Sequence, residues 1–223
     1  MADLKATSPL KVGVLISGRG SNLQALIDAC RDPAMPANIV TVISNNLDAA
    51  GILRARRAGI PVQIVDHRGF PDRASFDTAI DRALHDAGVN FVCLAGFMRL
   101  LTREFVAVWR DRMINIHPSL LPAFPGLDTH ARALAAGAKF AGCSVHFVRF
   151  ETDTGPIIVQ AAVPVRADDT AETLAGRVLE AEHRAYPLAL RLVAEGRVTV
   201  IDERAVVEAI AATPDFVLNP PGT

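Results

Sequence analysis

Apolar residues along this chain fall into two rhythms, and their alternation predicts an architecture. Near-continuous apolar runs occur at 11–16, 39–43, 60–65 and 90–96. A run without polar alternation is the mark of a strand covered on both faces, as in a parallel sheet. Helical spacings lie between the runs. Leu23, Leu26, Ile27 and Cys30 follow the first, and a segment with Leu53 and several arginines follows the second. Phe76, Ile80 and Leu84 form a stripe at spacings of four within 72–87. Strands alternating with helices predict an α/β fold, a doubly wound and mostly parallel sheet with right-handed crossovers. A fifth strand begins at Met113. The pattern changes after it: 142–148 alternates toward a strand, and 151–155 links it to 156–160, an expected antiparallel partner. Asp168, Asp169 and Thr170 cap a long helix running to about Glu195, and a short strand follows at 198–200. The expected organisation is a disordered lead over 1–10, one domain over 11–200, and a tail over 201–223 that is Pro-rich from Pro214.

Ligands on such sheets sit beyond the carboxyl ends of the strands, which selects three segments. Ser17-Gly18-Arg19-Gly20-Ser21-Asn22 follows the first strand and opens a helix. Strand, glycine turn and helix start can cradle an anion, and a single phosphate suits it better than a dinucleotide because the third fingerprint glycine is absent. The same residues also fit an ordinary turn with Ser21 or Asn22 as the helix N-cap. Phe97-Met98-Arg99-Leu100 follows the fourth strand, where Met98 and Leu100 can line an apolar slot for a flat ligand or belong to the core. Asn115-Ile116-His117-Pro118-Ser119-Leu120-Leu121-Pro122 ends the fifth. Residues two apart on a strand share a face, so Asn115 and His117 can reach one pocket, with Pro118 and Pro122 stiffening the exit.

An amide N–H and an imidazole held together can stabilise a developing oxyanion or move a proton. Asp153, on the loop between the last two strands of the sheet, is a candidate partner to orient the imidazole. The plainer alternatives are a hydrogen-bonded histidine and an aspartate that forms the Asp-Thr-Gly turn. No Ser or Cys sits in a nucleophile elbow, so a covalent acyl-enzyme is not expected.

Composition narrows the classes further. Half the residues are apolar, enough for a sizeable core, and net charge is −1. That balance argues against a nucleic-acid stripe or a polybasic membrane surface. No apolar run approaches a membrane span and no secretory leader is visible. Cys30, Cys93 and Cys143, an odd set in apolar surroundings, read as free thiols, so a cytoplasmic location is expected. His117, His130, His146 and Cys143 match no common zinc spacing, and no metal is expected.

Gly20-Ser21-Asn22, Met98-Arg99-Leu100-Leu101, the 115–122 segment and Asp153-Thr154-Gly155-Pro156, in that order over about 11–197, resemble the phosphoribosylglycinamide formyltransferases of the folate-dependent formyltransferase family. The resemblance implies a Rossmann-like formyltransferase fold and direct transfer of formyl from 10-formyltetrahydrofolate to the amine of glycinamide ribonucleotide, in purine biosynthesis. It implies that Asn115 and His117 stabilise a tetrahedral oxyanion, while Asp153 holds His117 and, through water, helps move a proton to the leaving folate nitrogen. Gly20, Ser21 and Asn22 would take the phosphate, and Glu182 the ribose. Arg73, Met98, Arg99, Leu100, Leu101, Asn115 and Asp153 would frame the folate, with the loop 149–153 beside them. A monomer or homodimer is expected. Asp128 stands where relatives often carry His, and no catalytic role is assigned to it. The alternatives are a formyltetrahydrofolate hydrolase, whose relatives carry a further N-terminal domain, a methionyl-tRNA formyltransferase, whose relatives carry a further C-terminal one, and a non-catalytic nucleotide-binding module.

Overall fold

A computed structural model of the chain describes residues 8–208, so most of the expected lead and the Pro-rich tail lie outside the described residues. The central sheet is made of β1 (Leu10–Ile16), β2 (Ala37–Ser44), β3 (Val62–Ile64), β4 (Phe91–Leu94), β5 (Met113–His117), β6 (Phe140–Phe147) and β7 (Ile157–Pro164). Their order is β3-β2-β1-β4-β5-β6-β7. The pairs from β3 to β5 are parallel, and β5–β6 and β6–β7 are antiparallel. The α/β sheet with an antiparallel extension is therefore present. The chain reverses its direction of travel across the sheet between β1 and β4, and a crevice opens at such a switch point.

The 60–65 run, expected to be covered on both faces, yields only the short edge strand β3, half-buried with Ile64 exposed, because no strand among the described residues pairs beyond it. β1 shows why an apolar run in the middle of the sheet becomes a buried strand. Its Val12, Val14 and Ile16 join a core with Leu23 and Leu26 of α1 (Ser21–Cys30) and Leu174, Val178 and Tyr186 of α6 (Ala171–Ala194). Leu15 points the other way, into a core with Phe76, Ile80 and Leu84 of α3 (Arg73–Asp86) and Trp109. Each buried aliphatic side chain contributes about 1.5–3 kcal/mol, against about 0–1 for an exposed ion pair, so the two cores rather than surface charge set this architecture.

The helix starts follow their caps. Asp72 accepts from Ser75 N at the start of α3, and Thr170 makes a capping box with Thr173 at the start of α6. The Tyr186 hydroxyl then sits 2.9 Å from the Leu94 carbonyl oxygen and 3.2 Å from that of Ile114. This pins α6 to the two strands that carry the site.

Two elements depart from expectation. α4 (Arg103–Val108) has six residues, too few to show a period. Residues 201–207, expected as tail, belong to a hairpin of β8 (Val198–Ile201) and β9 (Arg204–Val207). Its two-residue turn, Asp202-Glu203, has φ 47° and 56° without the Asn-Gly signature that left-handed turns favour, so the turn gave no signal. No helix among the described residues is long and apolar enough to cross a membrane.

Candidate active site

The turn after β1 is set by close backbone approach. Gly20 has φ 70°, and a Cβ there would lie 2.5 Å from Gly51 Cα, the first residue of α2 (Gly51–Arg57). Only glycine fits, because left-handed backbone and lack of space coincide. Gly51 N donates to the Gly18 carbonyl at 3.0 Å, so the partner glycine missing from the local motif arrives from the next βα unit. Gly20 is the N-cap of α1 and no side chain caps it, which corrects the alternative of Ser21 or Asn22 as cap. The first N–H groups of this ten-residue helix therefore lack a side-chain acceptor. Asn22 Nδ2 instead donates to Glu182 Oε2 at 2.7 Å, joining α1 to α6. Glu182 is buried, and desolvation raises its pKa against the lowering bond from Asn22. Asn22 Oδ1 is buried without a partner and faces the same junction. Gly20, Ser21, Asn22 and Glu182 thus form one polar corner.

The second group gathers at the end of β5. Asp153 Oδ2 lies 3.3 Å from His117 Nδ1, both side chains being more than 90 % buried. His117 Nε2 lies 3.1 Å from the Phe124 carbonyl oxygen, so both ring nitrogens face acceptors. Asp153 Oδ2 also accepts from Gly126 N at 2.8 Å. Asp153 sits at φ 57°, a strained setting that re-aims its carboxylate from the loop toward the sheet. Gly155 permits this path, since a Cβ there would overlap the Phe147 carbonyl at 1.7 Å. The exit from β5 is held by hydroxyls as well as prolines: Ser144 Oγ donates to the Ser119 carbonyl at 2.7 Å and accepts from Leu121 N at 3.0 Å. The Leu121–Pro122 peptide is cis.

His146 is the residue that sequence reasoning left out of this group. The antiparallel register sets it opposite Asn115, and Asn115 Nδ2 lies 3.3 Å from His146 Nε2. His146 Nδ1 lies 2.9 Å from the Phe147 carbonyl oxygen and donates to it, so Nε2 is the acceptor for Asn115. Burial lowers the His146 pKa, and His117 and Arg149 push the same way against the Phe147 bond and Asp153. A neutral His146 fixes which end of the Asn115 amide is offered. Its one signal in the sequence was a polar residue inside an otherwise apolar strand segment.

A cleft with a cavity volume of about 140 Å³ opens beside these residues, continuous with solvent and smaller than a typical enclosed small-molecule site. Arg99, Leu100, Leu101, Asn115 and Asp153 line it with Arg149, Phe150 and Thr152 of the expected loop, and the structure adds Phe97, Val106, His146 and Val148. Arg73 and Met98 are not in its lining. Arg73 is exposed at the start of α3, and Met98 points to solvent while its N–H donates to Ser17 Oγ at 2.8 Å. That bond still links the segment after β4 to the turn after β1. Buried Asp77 accepts from Thr102 N at 2.6 Å, next in the chain to Leu101, and desolvation raises its pKa. Asp128 is exposed at φ 56° and caps α5 (Thr129–Ala135) without a side-chain bond. Among the described residues, no group of three or more His, Cys, Asp or Glu is placed to hold a metal.

A family model described as formyl transferase matches residues 10–190. The chain is 44% identical over 196 residues to phosphoribosylglycinamide formyltransferase of Escherichia coli, covering 88% of this chain and 92% of that protein. It is 52% identical over 194 residues to the trifunctional purine biosynthetic protein adenosine-3 of Gallus gallus; these are 87% of this chain and 19% of the relative, so it spans about a fifth of that protein. Among solved structures, glycinamide ribonucleotide transformylase 1 from Symbiobacterium toebii superposes with a TM-score of 0.88 at 48% identity, covering 92% of this chain and 98% of that one.

Proposed function

This chain belongs to the formyl transferase family, and from that premise we propose that it transfers the formyl group of 10-formyltetrahydrofolate to the amine of glycinamide ribonucleotide. The observation that carries this reading is the buried contact of 3.3 Å between Asp153 and His117, beside Asn115 and at the cleft. A non-catalytic nucleotide-binding module has no use for such a cluster.

The ribonucleotide amine attacks the formyl carbon, a C–N bond forms, and the carbonyl electron pair moves to oxygen. Asn115 donates its amide N–H to that oxyanion, and His117 donates a ring N–H. For His117 to do so, one of its contacts to Phe124 or Asp153 must open. Asp153 orients His117 and, through water, passes a proton from the attacking amine to the folate nitrogen. Collapse then breaks the carbon–folate bond and releases tetrahydrofolate and the formylated ribonucleotide. The N–H groups at Gly20, Ser21 and Asn22 take the phosphate, with Glu182 on the ribose. Arg99, Leu100 and Leu101 frame the pterin in the cleft. Arg73 and Met98 join the folate site from its rim, Arg73 toward the glutamate tail. The catalytic domain is 11–200 together with the remainder of the β8–β9 hairpin, working in the cytoplasm as a monomer or homodimer without a metal.

The test is formation of formylglycinamide ribonucleotide from the two substrates with no added metal. Product formation that requires the ribonucleotide is the expected outcome. Folate turnover at an equal rate without the ribonucleotide would establish the hydrolase instead.

A further inference from the structure

The 148–156 segment leaves the sheet where Phe147 pairs with Ile114, at the start of β5. Its tip, Asp153, meets His117, three residues further along that strand, a return of about 10 Å at the rise of an extended chain. A segment that travels back over the sheet needs a fixed base. Arg149 supplies it. Its side chain is 8% exposed, and each of its three nitrogens is engaged. Nε donates to Glu203 Oε2 at 2.5 Å, Nη2 to Asp111 Oδ1 at 2.7 Å, and Nη1 to the Val148 carbonyl at 3.1 Å. Further out, the ties of the segment are at the surface: Arg103 stacks over Phe150 at 4.0 Å and lies 3.6 Å from Glu151.

Glu203 belongs to the turn of the C-terminal hairpin, far from the reacting atoms in sequence and outside the cleft lining. We propose that Glu203 is a positioning residue for the folate side of the reaction, holding Arg149 and through it the segment that walls the cleft and carries Asp153. The proposal rests on the reading of the cleft as the folate site.

The competing account is a surface ion pair of no consequence, the usual fate of exposed charges. Two observations oppose it. The Arg149 guanidinium is buried and needs counter-charge, and Asp111 alone would leave Nε without a partner. Glu203 also sits at φ 56°, a backbone setting in which glycine or asparagine would be less strained, so the glutamate is carried against its own conformational preference. Electrostatics agree: the Arg149 bond holds the Glu203 carboxyl below its usual range, and Arg149 itself is raised because Glu203 and Asp111 outweigh its burial. The Arg110 guanidinium bonds Glu203 as well and steadies it from the solvent side.

The experiment is steady-state kinetics and thermal melting on the full chain, comparing Glu203→Ala, Glu203→Gln, Arg149→Met and the double variant Arg149→Met with Glu203→Ala. Glu203→Ala is expected to raise KM for 10-formyltetrahydrofolate roughly three- to tenfold, with Glu203→Gln between it and the unsubstituted protein. KM for glycinamide ribonucleotide should stay within about twofold, because Glu203 bonds Arg149 and Arg110 and neither belongs to its corner. In the Arg149→Met background, Glu203→Ala should add nothing. An unchanged folate KM, a parallel rise of both KM values with a lowered Tm, or a full Glu203 effect without Arg149 each overturns the proposal. An unsubstituted protein that transfers no formyl group overturns the proposed function, and this inference with it.

Discussion

The two halves of the site are held by different means. At the nucleotide corner, the turn from Gly18 to Asn22 is positioned by backbone: a glycine that meets another glycine, an N–H on a carbonyl, and the start of a ten-residue helix. At the folate side, the reacting cluster is assembled from β5, β6 and a returning segment whose working residue sits at φ 57°. Its contacts are side chain to side chain or side chain to backbone, from Asn115 to His146 and from Asp153 to His117 and Gly126. Backbone contacts survive most substitutions, whereas a side-chain cluster fails when one member is removed. The nucleotide corner is therefore expected to govern KM, and the cluster to govern kcat.

The largest effect tests the cluster. His117→Ala and Asp153→Asn are expected to lower kcat by about 10³-fold each while leaving the Kd for glycinamide ribonucleotide within about twofold, given the usual magnitude of proton-transfer and oxyanion groups. Combined, they should cost much less than the product of the two, because they act as one unit. Near-normal kcat in either single variant would break the division between the halves.

Glu182 tests the other side. Its pKa is raised chiefly by desolvation, so the folded state holds its proton more tightly than the unfolded state does. The associated stability is present below pH 4.5, the ordinary value for this carboxyl, and is lost as pH rises through the higher folded value. At neutral pH the desolvated carboxyl is thus a cost accepted at the ribonucleotide corner. Glu182→Gln keeps an oxygen for Asn22 and removes that cost. Differential scanning calorimetry at pH 7 should show Tm higher by about 2–4 °C, with the gain gone at pH 4. KM for the ribonucleotide should rise roughly tenfold with little change in kcat, as expected for a lost charge-assisted bond. An unchanged KM would remove Glu182 from the corner.

The same contrast explains what could be read from the chain. The parallel half was legible because both its cores are written locally, as in Val12, Val14 and Ile16 against Leu15. Asn115 and His117 were legible because two residues on one strand share a face, and Asp153 through the Asp-Thr-Gly-Pro motif. His146 was not, because its meeting with Asn115 depends on a register between strands about thirty residues apart. Gly51 escaped for a similar reason: it touches Gly20 only once two βα units have packed. Glu203 escaped because its turn lacks the residues that such turns favour. Met98 was assigned to the slot on its apolar character, yet its backbone is used and its side chain faces solvent.

The smallest effect sharpens the comparison at that missed residue. Burial lowers the His146 pKa below 6.5, so the unfolded chain binds the proton first as pH falls. Stability supplied by a neutral His146 is therefore complete above pH 6.5 and is lost progressively below it. His130 and His183 are shifted the same way by burial, so the unsubstituted protein's loss on acidification is shared among them. His146→Gln isolates one share, since a glutamine oxygen can still accept from Asn115 and does not titrate. The fall in Tm between pH 7 and pH 5 should be smaller in this variant by about 2 °C, read by calorimetry. An equal fall would mean that the folded protein accommodates a protonated His146. Asn115 would then be free to turn its amide, and the reacting cluster would lose the fixed donor that distinguishes it from an ordinary polar pair across two strands.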